Sequence, residues 1–191
     1  LSDAPVSHSP TDAERGQLVS LVGAADETMD VIRPILATYS KQIVHFGPAG
    51  AGHTAKLVNN FVNHGQALLL SEAFAACAHG RVDIGKMYEV MRASISNSGT
   101  LQQLVPRMLD GELDGDELPI NDARTELEYF RKMVQRDGLN STMSDAVYQV
   151  YNHAVNLGYG DRLMGSLFEL QERLSNAEIV PRQRNRGRKA S

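Results

Sequence analysis

A lysine and several asparagines recur at helical spacing in one apolar stretch of the sequence. Lys56 is followed by Asn59, Asn60 and Asn63, and steps of three or four residues place these side chains on one face of a helix. A lysine can move a proton when burial or a nearby cation brings its pKa toward neutrality. An amide can orient a hydroxyl or carboxylate oxygen by hydrogen bonding. The pattern makes this helix face a candidate site for proton transfer.

The segment before Lys56 predicts a turn from a strand into this helix. Gly47, Gly50 and Gly52 follow an apolar run at 43–46, and glycine allows backbone conformations that such a turn requires. Residues 50–55 also fit the G-x-G-x-x-A pattern of dinucleotide-binding loops. That pattern requires an acidic residue about 20 residues further on, at the end of a second strand. Here the position falls on Glu72 inside the continuing helix, so a dinucleotide-binding loop is the weaker interpretation.

Composition limits the class of protein and its partners. The 191 residues are 42% hydrophobic and 22% charged, as in a globular protein of one large or two small domains. The net charge of −4 gives no electrostatic reason for nucleic acid as the main partner, and no apolar run is long enough for a membrane span. The single Cys77 excludes an internal disulfide framework and favours a cytoplasmic location. His45, His64 and His79 lack metal-ligand spacing, so we predict no metal site.

The pattern of elements predicts a few strands followed by helices only. Strands are expected at 3–7, 17–22 and 42–46, and helices at 26–39, 51–80, from 83 to the Asn-Ser-Gly at 97–99, and at 100–109, 122–136, 144–157 and 163–174. The helix at 51–80 is far longer than the usual 11–12 residues, which suggests a spine shared by domains or subunits and hence a homo-oligomer.

Three segments of the chain resemble the β-hydroxyacid dehydrogenases, which include 3-hydroxyisobutyrate and tartronate semialdehyde dehydrogenases. The run from Gly47 to Asn60 resembles their catalytic motif, Gly-Pro-x-Gly-x-Gly-x-x-x-Lys-x-x-Asn-Asn. Asp-Ala-Pro-Val-Ser at 3–7 looks like the family's substrate-binding strand end, and 16–24 looks like its next strand. Gly-Tyr-Gly-Asp at 158–161 and the following helix look like its final hairpin, so the resemblance runs from about residue 2 to 174.

The resemblance implies an α+β fragment of a larger enzyme. Residues 1–48 would be the end of a Rossmann-type cofactor domain, 49–175 an all-α substrate and dimerisation domain, and 176–191 a disordered basic tail. It implies NAD or NADP as cofactor and hydride transfer to or from a small hydroxy acid or semialdehyde. The family's Gly-rich cofactor loop lies before this segment, so we expect the chain to be the downstream part of a longer protein.

The resemblance also assigns roles on the long helix. Lys56 would be the general acid/base on the substrate oxygen, and Asn60 would hydrogen-bond the same hydroxyl or a carboxylate oxygen. Asn59 is a further substrate-binding candidate, which would support the helix or the cofactor side of the site. Ser7 and the backbone after it would hold the substrate carboxylate.

Two departures from the family pattern affect the predicted site. His8 and Ser9 replace a Gly-Gly pair whose amides approach the substrate, although His8 could add a donor to a carboxylate. The family's late Lys-Asp pair falls on Thr125 and Glu126, and the adjacent Arg124 is the candidate substitute for the cofactor-binding lysine. The alternative is therefore a catalytically degraded dehydrogenase that acts as an oligomerisation scaffold. A weaker third interpretation is recruitment to nucleic acid through the basic tail.

Overall fold

The computed structural model of the protein describes residues 1–115 and 118–181. The chain divides into two compact units, of which the first comprises Leu1–Phe61 and the second begins at Val62. Strands occur only in the first of these units within the described residues, and the second is helical. This arrangement confirms the predicted α+β class.

The first unit is built on a small mixed sheet. Its strands are β1 (Ser2–Asp3), β2 (Val6–Ser7), β3 (Leu18–Ala24) and β4 (Ser40–Gly47). β1 and β2 pair antiparallel with successive parts of β3, and β4 pairs with β3 in parallel. The strand predicted at 3–7 is thus interrupted at Pro5, which has no backbone N–H to donate. The carbonyl of Pro5 still accepts the Leu21 N–H at 2.9 Å.

Two short helices complete this unit, and one of them was not predicted. Helix α1 (Pro10–Glu14) begins with a capping box in which the Ser9 hydroxyl accepts the Asp12 N–H at 3.2 Å. The Asp12 carboxylate in turn accepts the Ser9 N–H at 3.2 Å, so both backbone donors are satisfied. Helix α2 (Asp26–Leu36) ends before the predicted residue 39 and packs Met29 into the core beneath the sheet.

A single long helix, α3 (Ala51–His79), follows the sheet and continues into the second unit. Its 29 residues confirm the spine predicted at 51–80.

The second unit consists of helices around an aliphatic and aromatic core. After α3 come α4 (Ile84–Arg92), α5 (Gly99–Leu109), α6 (Ile120–Arg136), α7 (Thr142–Ala154) and α8 (Ser166–Ser175). Phe74 and Phe168 pack with their ring centroids 6.3 Å apart, and both are fully buried. A π-helical turn over Val155–Tyr159 extends α7, and Gly158 takes φ of 90° there, the left-handed conformation that glycine tolerates.

The end of the described chain differs from the disordered tail predicted at 176–191. Ile179 is only 3% exposed, and the Glu172 carboxylate accepts the backbone N–H groups of Ile179 and Val180, the latter at 2.7 Å. Residues 176–181 therefore fold back against α8, because an apolar side chain and a carboxylate acceptor are both available to them. The rest of the predicted tail, 182–191, lies outside the described residues. Within the described ranges, no helix combines the length and apolar character needed to cross a membrane.

Candidate functional site

The first turn of α3 is held by a carboxylate from the sheet. Asp3, the last residue of β1, accepts hydrogen bonds from the Gly50 N–H, from the His53 N–H at 2.6 Å and from the His53 ring Nδ1 at 2.9 Å. The first N–H groups of a helix have no partner within the helix, and its N-terminus attracts negative charge. Asp3 therefore acts as the cap of α3, although it lies about fifty residues earlier in the chain.

Two glycines let this helix approach the sheet closely. A Cβ atom at Gly52 would collide with the Leu21 carbonyl oxygen and lie 2.8 Å from the Asp3 carboxylate. A Cβ atom at Gly23 would also collide with that carboxylate and lie 2.7 Å from the Pro48 carbonyl oxygen. Gly52, the second glycine of the G-x-G pattern, thus serves helix–sheet packing together with Gly23, and the anion-binding end of α3 is filled by Asp3. This geometry does not fit a cofactor pyrophosphate at the loop.

The electrostatics of Asp3 follow from these contacts. Burial of the carboxylate acts to raise its pKa, but the N–H groups of Gly50 and His53, together with the His53 ring, outweigh burial. The pKa of Asp3 is consequently lowered from its ordinary value of 3.8, and the group is ionised at neutral pH. An ionised carboxylate is the stronger acceptor for the two backbone donors.

The predicted catalytic residues lie just beyond this cap. Lys56 is half-buried, three residues after His53, and Asn60 is 7% exposed one helical turn later. Asn59 is exposed. Within residues 1–115 and 118–181, no carboxylate forms a salt bridge with the Lys56 ammonium group, so it remains available to a ligand oxygen.

The predicted carboxylate-binding residues lie at the end of β2. Ser7 is half-buried, and His8 is exposed with φ of 91°. This φ lies in the left-handed region, which costs a non-glycine residue about 1–2 kcal/mol. The backbone at His8 therefore adopts a conformation that glycine favours, although the side chain here is histidine. The Ser9 hydroxyl serves as the cap of α1, so its role in substrate binding stays a prediction.

Arg124 and Thr125, the predicted cofactor-binding residues, lie on α6 in the second unit. The Thr125 hydroxyl donates to the carbonyl of Asn121 at 2.9 Å and is thus engaged by its own helix. The Arg124 Nε–H is buried and has no hydrogen-bond partner among the described residues. A buried donor without a partner costs free energy, so Arg124 is the better suited of the two to an anionic ligand.

A buried histidine–carboxylate pair in the second unit was not predicted. The side chain of His64 is 4% exposed, and its Nε2 lies 2.7 Å from a carboxylate oxygen of Glu126, which is 28% exposed. The Tyr151 hydroxyl donates to the His64 carbonyl oxygen at 3.1 Å. No sequence signal joins His64 to a residue 62 positions away, since pairing between helices depends on their packing.

Two family profiles match the chain in consecutive segments. Residues 50–170 match the family described as the NAD-binding region of NADP-dependent 3-hydroxyisobutyrate dehydrogenase. Residues 1–47 match the NAD binding domain of 6-phosphogluconate dehydrogenase. The first match covers more than half of the chain.

Individual relatives agree with these matches. The 2-(hydroxymethyl)glutarate dehydrogenase of Eubacterium barkeri is 25% identical over 181 residues, which are 93% of this chain and 59% of that enzyme. A probable 3-hydroxyisobutyrate dehydrogenase of Mycobacterium tuberculosis is 33% identical over 95 residues, which are 50% of this chain and 32% of that protein. The solved Mycobacterium tuberculosis 3-hydroxyisobutyrate dehydrogenase with L-serine shares the fold, with a TM-score of 0.80 at 22% identity over 88% of this chain and 60% of that one. The chain thus spans less than two thirds of the length of each of these relatives.

Proposed function

Because this chain belongs to the β-hydroxyacid dehydrogenase family, whose cofactor is NAD or NADP, we propose that it is part of an oxidoreductase for a small hydroxy acid or semialdehyde. The observation that carries the proposal is the pair formed by Lys56 and Asn60. A half-buried lysine without a salt-bridge partner among the described residues stands one turn before a buried amide. A lysine and an amide one helical turn apart are suited to proton transfer to one ligand oxygen, which supports the proposal.

The proposed chemistry divides between the cofactor and the chain. When bound, NAD or NADP takes up a hydride from the substrate carbon or delivers one to it. In oxidation, the neutral Lys56 amine accepts the hydroxyl proton as the carbon–oxygen bond becomes a carbonyl. In reduction, the Lys56 ammonium group returns that proton to the oxygen. Asn60 orients the same oxygen, and Ser7 with the backbone after it holds the substrate carboxylate.

The residues present fit part of the cofactor. The Arg124 Nε–H, which has no partner among the described residues, suits an anionic group, whereas the N-terminus of α3 is taken by Asp3. The chain matches only 59% of the Eubacterium barkeri enzyme. We propose that another part of the protein supplies the Gly-rich pyrophosphate-binding loop. We also propose that the cofactor domain ends near residues 48–49, which the consecutive family matches at 1–47 and 50–170 support.

The proposal also includes a cytoplasmic location and a homo-oligomer formed through the helical domain. Exposed apolar side chains include Leu69 on α3, which is 60% exposed, Val90 on α4, which is 61% exposed, and Ile95 just after α4, which is fully exposed. A second copy of the chain would remove this apolar surface from water. Light scattering should then show a dimer or larger oligomer at micromolar concentration, and Leu69→Asp should shift it toward the monomer. A wild-type monomer would contradict this part of the proposal.

The experiment uses the protein expressed from its complete reading frame. It should be titrated with NAD and NADP and then screened against 2- and 3-hydroxy acids as the wild type, Lys56→Ala and Lys86→Ala. Lys86 is an exposed lysine on α4 and serves as the matched control. We expect kcat to fall by about 10²–10⁴-fold in Lys56→Ala and to stay unchanged in Lys86→Ala.

The alternative function, a catalytically degraded scaffold, is favoured by the engaged hydroxyl of Thr125. Failure of the wild type to reduce either cofactor with any hydroxy acid would support it. Wild-type kcat in Lys56→Ala would instead leave a dehydrogenase whose acid/base lies elsewhere.

A further inference from the structure

We infer that Asp3 is a positioning residue for Lys56, setting the lysine through the first turn of α3. The inference rests on the proposed function, because it gives the lysine a reaction to serve. It concerns a residue outside the acid/base and carboxylate-binding groups of that proposal. Its basis is the set of contacts that Asp3 makes within the first unit.

Asp3 is fixed on both of its sides. Its backbone belongs to β1 and pairs with Gly23 of the central strand β3. Its side chain, only 9% exposed, binds the loop and first turn of α3 through both oxygens, with Oδ1 on the Gly50 N–H and Oδ2 on the His53 N–H. The residue therefore joins the sheet directly to the start of the catalytic helix.

The hydrogen bonds from Asp3 to Gly50 and His53 set the position of Lys56. A helix advances 1.5 Å and turns about 100° per residue, so any shift of its first turn carries the following turn with it. Lys56 stands only three residues after His53. A displacement of roughly 1 Å at a reacting group can lower a rate by about 100-fold.

Nothing else among the described contacts can replace this carboxylate. A side chain at Gly52 or Gly23 would collide with the sheet or with Asp3 itself. The His53 ring is 66% exposed and binds Oδ2, which already accepts the His53 N–H. The ring thus adds to the contact, and the two backbone N–H groups form its essential part.

The test compares Asp3→Ala and Asp3→Asn with a matched control in the protein from its complete reading frame. Asp83 caps α4 by accepting the Lys86 N–H at 2.9 Å, so Asp83→Asn removes the charge of a helix cap away from the proposed chemistry and keeps an acceptor oxygen. Asp3→Asn keeps one acceptor oxygen and guards against a folding failure of Asp3→Ala. We expect kcat to fall about 10–100-fold in Asp3→Ala and less in Asp3→Asn, with KM values for cofactor and hydroxy acid within about threefold of the wild type.

Two further measurements do not depend on turnover. Amide exchange at Gly50 and His53 should accelerate in both Asp3 variants, while the amide of Val22 in β3 stays protected. The rate at which an acetylating reagent modifies Lys56 should change in the Asp3 variants and stay at the wild-type value in Asp83→Asn. These results together would support a positional role.

Distinct failures separate this inference from the proposed function. Unchanged kcat and unchanged acetylation of Lys56 in Asp3→Ala would overturn the inference while leaving the dehydrogenase intact. Equal losses of kcat in Asp3→Asn and Asp83→Asn would show that Asp3 contributes only to general stability. That result would also overturn the inference. A wild type without activity on any hydroxy acid would overturn the proposed function, and the Lys56 acetylation rates would still decide whether Asp3 positions the lysine.

Discussion

Two of the histidine–carboxylate pairs in the described residues, one from each unit, have similar lengths and opposite burial. In the first unit His53 lies 2.9 Å from Asp3, with the histidine 66% exposed and the carboxylate 9%. In the second unit His64 lies 2.7 Å from Glu126, with the histidine 4% exposed and the carboxylate 28%. In the first pair the carboxylate is the structural group and the ring an accessory. In the second pair the buried imidazole needs an acceptor, and the carboxylate supplies it.

The neighbours of each pair explain the difference. Asp3 already accepts two backbone N–H groups at the start of a helix, so it would remain useful without His53. His64 packs against Tyr151 with the ring centroids 5.8 Å apart, and its own Nε2 is turned to Glu126. A short distance between two such groups therefore does not tell which partner the fold depends on. Burial and the remaining hydrogen bonds decide that.

The largest expected loss of stability comes from removing the buried imidazole ring of His64. His64→Ala should lower the free energy of unfolding by about 3 kcal/mol, because it opens a cavity beside Tyr151 and removes the partner of Glu126. Urea denaturation followed by circular dichroism would measure it. The exposed His153 provides the control, and His153→Ala should cost less than about 0.5 kcal/mol. Equal losses of stability in the two variants would contradict the structural role assigned to the buried His64.

The next effect tests the close approach on which the Asp3 contact depends. Gly52→Ala should cost about 2 kcal/mol, since the added methyl group would collide with the Leu21 carbonyl oxygen and crowd Asp3. Gly99→Ala is the control, because nothing lies within 4 Å of a Cβ atom there and its φ is not positive. Thermal unfolding of the two variants would compare them. A Gly52→Ala protein as stable as the wild type would contradict the packing described here.

A smaller difference in the free energy of unfolding is expected when the carboxylates of the two pairs are replaced by amides. Asp3→Asn should lower the free energy of unfolding by about 1 kcal/mol, because both of its oxygens accept backbone N–H groups and an amide keeps one acceptor. Glu126→Gln should cost about 0.5 kcal/mol, since its amide oxygen can still accept from His64. Chemical denaturation of both variants in parallel gives the ranking. The reverse order would show that the second pair depends on its carboxylate more than the first.

The smallest effect is the acid titration of Asp3. Because its folded-state pKa is lowered from 3.8, its stabilising contribution is fully present above that value and is lost as the pH falls through the lower, folded-state pKa. The carboxyl ¹³C shift of Asp3 should therefore titrate below pH 3.8. His53→Ala should raise the midpoint only slightly, because the backbone donors remain. A midpoint at or above the ordinary value would remove the basis for Asp3 as a charged cap.

Elements with a strong local signal could be predicted from the sequence. Helix α3 was predicted at 51–80 and is found at Ala51–His79, because its long apolar stretch and the glycines before it are both local. Helix α1 was missed, although Ser9 and Asp12 carry the spacing of a capping box. Residues 176–181 were also missed, because Ile179 is ordered by a carboxylate on α8 and by burial. A single apolar residue gives no sign of the surface that will cover it.

The sequence by itself determined the family, the strand-to-helix turn before Lys56 and the face that this lysine shares with Asn60, since all of these depend on residues close together in the chain. Only the tertiary structure decided that Asp3 fills the N-terminus of α3 and that His64 finds Glu126. Those contacts join residues 50 and 62 positions apart. Which residues meet in these contacts is set by how strands and helices pack, and spacing along the chain does not predict that packing.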